Sequence, residues 1–386
     1  MTSAANLVAA LLGCAALAAC AVTRGPFEPG IAAPLADGVT IAVVGGAGAR
    51  GPAARETARA LTEVLGPPTA DRNAMVLLVG DYAPHRFARG RGRRAKAPAK
   101  TPVVTQATVA TPRVGSRFAL RGVAERHHQA GPLPTTAHAV VRVGADGRGD
   151  TISRCEARTC RIDSTAAPGV VDLVLLDLEP WRVPTDDDDA PVARIESLLD
   201  AISRLPADTP RILVLSLPVE GAYETGQGAQ FGPTAMFHLL PPALARHLET
   251  GMFVGVIAGG ERSLHLSPDL TAAIQRSDRV WLRSPLWQVV SGNANDPRAG
   301  RVAHRSTWRG GIVHRPVVST SDPGFAVVRI DGSASLTIDL VAQHRGRWHT
   351  ARTRVPLRPA PHPATTGTRQ LNPCPFCDDK PAGERR

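Results

Sequence analysis

The stretch Val39 to Asp81, "VTIAVVGGAGARGPAARETARALTEVLGPPTADRNAMVLLVGD", decides the reading of the fold. Val39 to Val44 is a short apolar, β-branched run, the pattern of a strand buried on both faces. Ala53 to Leu65 sets Ala54, Ala58, Leu61 and Leu65 at helical spacing, and Gly66-Pro67-Pro68 stops the helix. Met75 to Val79 is a second buried strand, ending in Gly80-Asp81. Strand, helix and strand in that order predict a βαβ unit with parallel strands and a right-handed crossover.

The same alternation continues outward. Val170 to Leu176 predicts a strand closing in Asp177, Val192 to Leu205 a helix with Ile195, Leu198, Leu199 and Ile202 on its face, and Arg211 to Leu217 a strand. Thr234 to Glu249 predicts a helix, and Met252 to Ile257 a strand running into Ala258-Gly259-Gly260. From Trp287 the strands come at close spacing: Trp287 to Val290, Phe325 to Ile330 and Leu336 to Val341. This order predicts one α/β domain with mixed sheets over residues 39–357, not two unrelated domains. A Pro- and Gly-rich tether precedes it, and residues 358–386 read as a tail.

At 43% hydrophobic and 20% charged, the 386-residue chain is neither wholly disordered nor, with such short apolar runs, a polytopic membrane protein. Its formal charge is +11, and arginine supplies nearly all the cations, since only three are lysine. The excess is localised. Arg86 to Lys100 holds seven cations and no acid, and Ala342 to Arg369 holds six arginines and no acid. Neither segment has an apolar period, so both read as a solvated loop and tail on a near-neutral body. Residues 86–100 would be an insertion, and a nucleic-acid-binding face is not expected.

Leu7 to Ala19 is an apolar run of 13 residues, too short to span a bilayer. It ends in Leu17-Ala18-Ala19-Cys20, which resembles a bacterial lipobox, although Met1 to Asn6 lacks the usual Lys or Arg. The resemblance implies a signal peptide over residues 1–19, a lipidated Cys20, a tether over 20–38 and a periplasm-facing chain at the cell envelope. In such an oxidising compartment Cys155 with Cys160, and Cys374 with Cys377, predict two local disulfides; a zinc site built from both pairs is the alternative.

Three chemistries suggest themselves. Gly46-Ala47-Gly48-Ala49-Arg50-Gly51 matches the Gly-x-Gly-x-x-Gly of dinucleotide-binding turns, between a strand and a helix, but the acid needed about 20 residues on is missing. An NAD-binding protein is therefore a minor alternative. No Gly-x-Ser-x-Gly elbow exists, and Ser216 and Ser263, near strand ends, have no glycine scaffold and no obvious base. His127, His128 and His265 read as surface or loop histidines, and Asp186 to Asp189 as a solvated loop.

The third chemistry comes from the strand ends taken in order. Ile41 to Gly48 reads "IAVVGGAG", Leu77 to Tyr82 "LLVGDY", Phe118 to His128 "FALRGVAERHH" and Val171 to Asp177 "VDLVLLD". Ile212 to Gly221 follows as "ILVLSLPVEG", Val256 to Leu264 as "VIAGGERSL", Val289 to Ala294 as "VVSGNA" and Phe325 to Asp331 as "FAVVRID". Together they resemble the calcineurin-like metallophosphoesterases, most closely their purple-acid-phosphatase-like branch. That resemblance implies a four-layer α/β/β/α sandwich with two mixed sheets face to face, and a two-metal site on loops after the strands.

At the ligand positions the resemblance implies loss of chemistry. The two ligands of the first loop are Gly46 and Gly48, the Asn and His of the third motif are Val123 and Ala124, and the His of His-x-Pro is Ser216. The two histidines of the last motif are Gly260 and Arg262, and only the bridging position keeps its acid, Asp81. Two divalent cations need several hard oxygens and imidazoles, which one carboxylate cannot supply. Glu125, His127, Glu261 and His265 lie next to the lost positions and are the candidates for a rebuilt metal site. The leading expectation is a catalytically inactive, lipid-anchored binding or scaffolding module needing no cofactor, with a protein or an anion as ligand, the latter through Arg262. Anionic headgroups near the basic segments are a further expected partner. The enzyme alternative is a metal-dependent phosphoesterase with two divalent metals.

Overall fold

The structure, a computed structural model, describes residues 27–33, 38–45, 52–66, 73–80, 119–124, 138–143, 149–156, 159–162, 171–177, 190–205, 208–219, 223–224, 242–259, 263–270, 286–292, 294, 301–302, 306–308, 311–314, 318–320 and 322–357. In chain order the strands of the first half are β1 (Glu28–Pro29), β2 (Val39–Gly45), β3 (Asn73–Gly80), β4 (Ala119–Ala124), β5 (Ala139–Val143), β6 (Gly149–Thr151), β7 (Ser153–Glu156), β8 (Thr159–Ile162) and β9 (Val171–Leu176). They continue as β10 (Arg211–Leu215), β11 (Tyr223–Glu224), β12 (Gly255–Ala258), β13 (Leu264–Ser267), β14 (Trp287–Ser291) and β15 (Arg301–Val302). The last are β16 (Ser306–Trp308), β17 (Gly311–His314), β18 (Val318–Thr320), β19 (Gly324–Ile330), β20 (Ser335–His344) and β21 (Arg347–Pro356). Three helices are described, α1 (Pro52–Leu65), α2 (Ala190–Ser203) and α3 (Pro242–Glu249).

The predicted βαβ unit forms: β2 and β3 pair in parallel, Val39 opposite Asn73 through Gly45 opposite Val79, with α1 between them in sequence. Pro52 opens α1, where a missing N–H costs nothing, and Gly66 closes it at φ +70 with its N–H on the Thr62 carbonyl. The buried face of α1 is Ala54, Ala60, Leu61, Val64 and Leu65, rotated from the predicted one, with Ala58 only half-buried. On α2 the predicted face holds, and Ile195, Leu198, Leu199 and Ile202 are all fully buried. Of the helix predicted over Thr234 to Glu249, only α3 falls within the described residues.

Two large mixed sheets result. One has seven strands in the order β1-β21-β20-β19-β2-β3-β4, the other eight in the order β18-β13-β14-β12-β10-β9-β5-β6. Alternation along each strand sorts the side chains. Ile41, Val43, Leu77, Val79, Val328 and Leu340 of the first sheet share one apolar core with Leu173, Leu175, Val214, Ile257, Leu266 and Val289 of the second. β13 lies against β20, β14 against β2 and β19, β10 against β3, and β9 against β4. The opposite residues, Ala42, Val44, Val76, Leu78 and Phe325, pack with α1 on the outer face of the first sheet. Val174, Leu176, Leu213, Leu215 and Val256 pack with α2 and α3 outside the second. Strands covered on both faces are mostly apolar, which is why β2, β9 and β10 read as apolar runs broken only by Thr40, Asp172 and Arg211.

Two expectations about loops are corrected. Ala342 to Arg369 is not a solvated tail over its first half, because His344 and Arg347 flank an Arg345-Gly346 turn joining two ten-residue strands paired from Ser335↔Pro356 to His344↔Arg347. The arginines made it look polar, yet Ala351 and Val355 alternate into the inter-sheet core. The expected tether is also partly structural. Glu28 and Pro29 pair with Thr350 and His349, the Gly30 N–H donates to the Trp348 carbonyl at 2.8 Å, and Phe27 packs against the inter-sheet core. Residues 86–100 and 358–386 lie outside the described residues.

Each sheet buries one aspartate between arginines on its outer face. In the first, the fully buried Asp339 accepts from Arg329 Nε at 2.8 Å and from Arg352 Nε and Nη2 at 2.7 and 3.0 Å. Arg329 is itself 1% exposed and also donates to the Ala32 carbonyl. In the second, Asp172 accepts from Arg142 at 2.8 and 3.1 Å and stands opposite Arg211, whose pKa burial lowers while Asp172 raises it. Removing one partner of such a pair strands a charge in the interior. Asp339→Ala is therefore expected to cost about 3–5 kcal/mol in guanidinium unfolding, and the double replacement Arg329→Met with Asp339→Leu less than that. His247 on α3 gives a second test. Burial first, then Arg246 and Arg211, push its imidazole below the ordinary 6.5, against a weaker upward pull from Asp200. The unfolded chain then takes up this proton before the folded one, so stability falls as pH drops below 6.5 towards the folded value. His247→Gln is expected to remove that part of the loss between pH 7 and pH 5, read from parallel unfolding curves.

Candidate functional site

In open α/β sheets, ligands bind beyond the carboxyl ends of parallel strands, because side chains there are freed from the ladder. Here β2, β3 and β4 run parallel in one sheet and β9, β10, β12 and β14 in the other. Their carboxyl ends meet at one rim of the sandwich. A Cβ on Gly45, the last residue of β2, would stand 1.7 Å from the Ser291 carbonyl oxygen at the end of β14. One on Gly259, just past β12, would stand 2.5 Å from the Val79 carbonyl in β3. Only glycine lets the two backbones approach so closely.

Polar groups lace the same rim. The Ser291 hydroxyl donates to the Val43 carbonyl at 2.7 Å across the sheets, the Ala294 N–H donates to the Gly45 carbonyl at 2.9 Å, and the Thr57 hydroxyl of α1 donates to the Ala294 carbonyl at 2.8 Å. The Gly292 N–H reaches the Ser263 carbonyl at 3.0 Å. The seam is thus fixed by main-chain groups and two hydroxyls.

Of the residues singled out in the sequence, Gly46, Gly48, Asp81, Glu125, His127, Gly260, Glu261 and Arg262 lie outside the described residues, as do Cys20, Cys374, Cys377 and Asp186 to Asp189. Val123 and Ala124, expected on a loop, are the last residues of β4, opposite Val79 and Gly80. Their backbone belongs to the ladder, and neither side chain carries a donor atom. Ser216 follows β10 and is fully buried, its hydroxyl without a hydrogen-bond partner among the described residues. A neutral hydroxyl beside alanine and valine does not make a two-metal donor set. Among the described residues, no three His, Cys, Asp or Glu side chains cluster as metal ligands.

His265 is placed differently from the expectation of a surface or loop position. It is fully buried in β13, and since Leu264 and Leu266 enter the inter-sheet core, it belongs to the opposite face of the sheet. Its Nδ1 lies 3.1 Å from the Ser263 hydroxyl, so Ser263 does have a basic neighbour, in the interior. The Cys155–Cys160 disulfide forms, between paired positions of β7 and β8, and these two cysteines are not zinc ligands. Asp177 is buried at the carboxyl end of β9, and its carbonyl lies 3.0 Å from Nε2 of His138, whose φ of 57 is in the left-handed region. The signal was in the sequence, an acid closing an apolar strand beside the Ser216 strand.

No family model and no curated protein matches the chain. Among solved structures, one described as "GAP50 the anchor in the inner membrane complex of Plasmodium" is similar at 10% identity and a TM-score of 0.42, over 82% of this chain and 89% of that one. The purple acid phosphatase PPD1 from yellow lupin (Lupinus luteus) seeds is similar at 10% identity and a TM-score of 0.49, over 86% of this chain. The similarity spans 55% of the lupin protein's length. The α/β class with two mixed sheets stands on the strand order and packing of the chain itself.

The pinch at the rim is open to test. Gly45→Ala forces the β2 and β14 ends apart and is expected to cost about 3 kcal/mol, the upper part of the usual overpacking range, in denaturant unfolding. Gly346→Ala, in the hairpin turn with nothing within 4 Å of an added Cβ, strains only its own φ of +78 and is expected to cost clearly less.

Proposed function

We propose that this chain is a lipid-anchored, metallophosphoesterase-like protein of the bacterial cell envelope that does not hydrolyse phosphoesters and acts as a binding or scaffolding module. The observation that carries this reading is the chemistry at the strand ends. Val123, Ala124 and the buried Ser216 stand where the resemblance puts metal ligands, and Gly46, Gly48, Gly260 and Arg262 complete the same substitution in sequence. Without several hard donors no pair of divalent cations is held to activate water and neutralise phosphoryl oxygens.

Anchoring is supported by Leu17-Ala18-Ala19-Cys20 after a 13-residue apolar run. No helix among the described residues is long and apolar enough to cross a membrane.

The enzyme alternative needs Asp81 with Glu125, His127 and Glu261, and loses His265, which is buried in β13. Metal analysis of the purified protein, paired with an aryl-phosphate assay in added Mn²⁺, Fe²⁺ or Zn²⁺, separates the two. Expected are less than about 0.1 metal per chain and no turnover above buffer. Stoichiometric metal with turnover abolished by Asp81→Ala would establish the phosphoesterase instead.

A further inference from the structure

The first described residue, Phe27, is already part of the fold. It packs against the inter-sheet core, Glu28 and Pro29 add a short strand to the outer edge of β21, and the Thr350 hydroxyl donates to the Gly30 carbonyl at 2.8 Å. Ile31 reaches the core under α1, and the Ala32 carbonyl accepts from the buried Arg329 at 3.2 Å. Residues 27–33 are therefore a strap held at two of the cores, and its first residue lies at the β21 edge.

Resting on the lipid-anchor reading above, we propose that this edge is the membrane-facing surface of the protein, and that its partner is a phospholipid bilayer. Six residues separate Cys20 from Phe27, and fully extended they reach at most about 25 Å. A body of this size is about 50 Å across. A tether half as long as the body lets the β21 edge approach the lipid but cannot turn the opposite edge towards it. That opposite edge is β4 in the first sheet and β6 in the second, since β20 lies over β13 while β4 lies over β9. The near edge is also chemically suited to headgroups: Arg354 is exposed on β21, and Arg352 keeps a 55% exposed side chain while bound to Asp339.

The test uses the full lipidated chain in phosphatidylethanolamine–phosphatidylglycerol vesicles that carry a headgroup nitroxide quencher. A fluorophore is attached at Arg354→Cys on the near edge or at Thr151→Cys on β6, both in a Cys374→Ser, Cys377→Ser background. Quenching at position 354 is expected to exceed that at 151 by at least about threefold, and equal or reversed quenching overturns the proposal. A 30-residue Gly/Ser insertion after Val22 is expected to erase the contrast; a contrast that survives it overturns the tether as its cause. Mass measurement of the Cys20 peptide is made on the same sample. An unlipidated Cys20 sinks the anchor reading and the orientation with it, whereas a lipidated Cys20 with equal quenching sinks the orientation alone.

Discussion

Between the two sheets lies an apolar layer whose thickness is set by side chains along most of its length and by bare backbone at one rim. Where Ile41, Leu77, Leu173 and Val289 interdigitate, the sheets stand a side chain's breadth apart. At Gly45 and Gly259 they come into main-chain contact. The sandwich is a wedge closed at the carboxyl ends of its parallel strands, and the Ser291 hydroxyl locks the closure by donating across to Val43. Helix α1 is keyed to the same rim through Thr57 and Ala294, so the first crossover and the sheet-to-sheet seam depend on one another.

Charge is used structurally in the same way on both outer faces. A strand aspartate fully withdrawn from water is tolerable only when paired and hydrogen-bonded: Asp339 accepts from two arginines, and Asp172 accepts from Arg142 and stands opposite Arg211 on neighbouring strands. Guanidinium suits this position because its planar fork meets a carboxylate at two points and stays protonated. Part of the arginine excess is therefore interior scaffolding and not surface decoration.

The sequence made the parallel core legible because strands covered on both faces are mostly apolar: β2, β3, β9 and β10 fall where Val, Ile and Leu run together. It concealed elements that face solvent on one side. β21 alternates Ala351 and Val355 with Arg352 and Arg354, and the polar half of that alternation made a strand resemble a tail. β6 to β8 are three or four residues long and carry Gly149, Cys155 and Cys160, and the strap at residues 27–33 has only long-range reasons to be ordered. At the candidate site, it was legible from identity alone that the side chains of Val123 and Ala124 offer no donor atom. Whether a residue is accessible depends on tertiary packing, which is why His265 looked external and is internal.

The Cys155–Cys160 link sits on a hairpin that leans on α2, and its loop spans only five positions in sequence. Closing so short a loop removes little freedom from the unfolded chain, worth about 2 kcal/mol on the entropic model. The three cores make no use of the bond beyond the contact of these sulfurs with the α2 layer. The sandwich therefore has its packing whether these thiols are free or joined, and the bond acts as a local clamp on the β7–β8 hairpin.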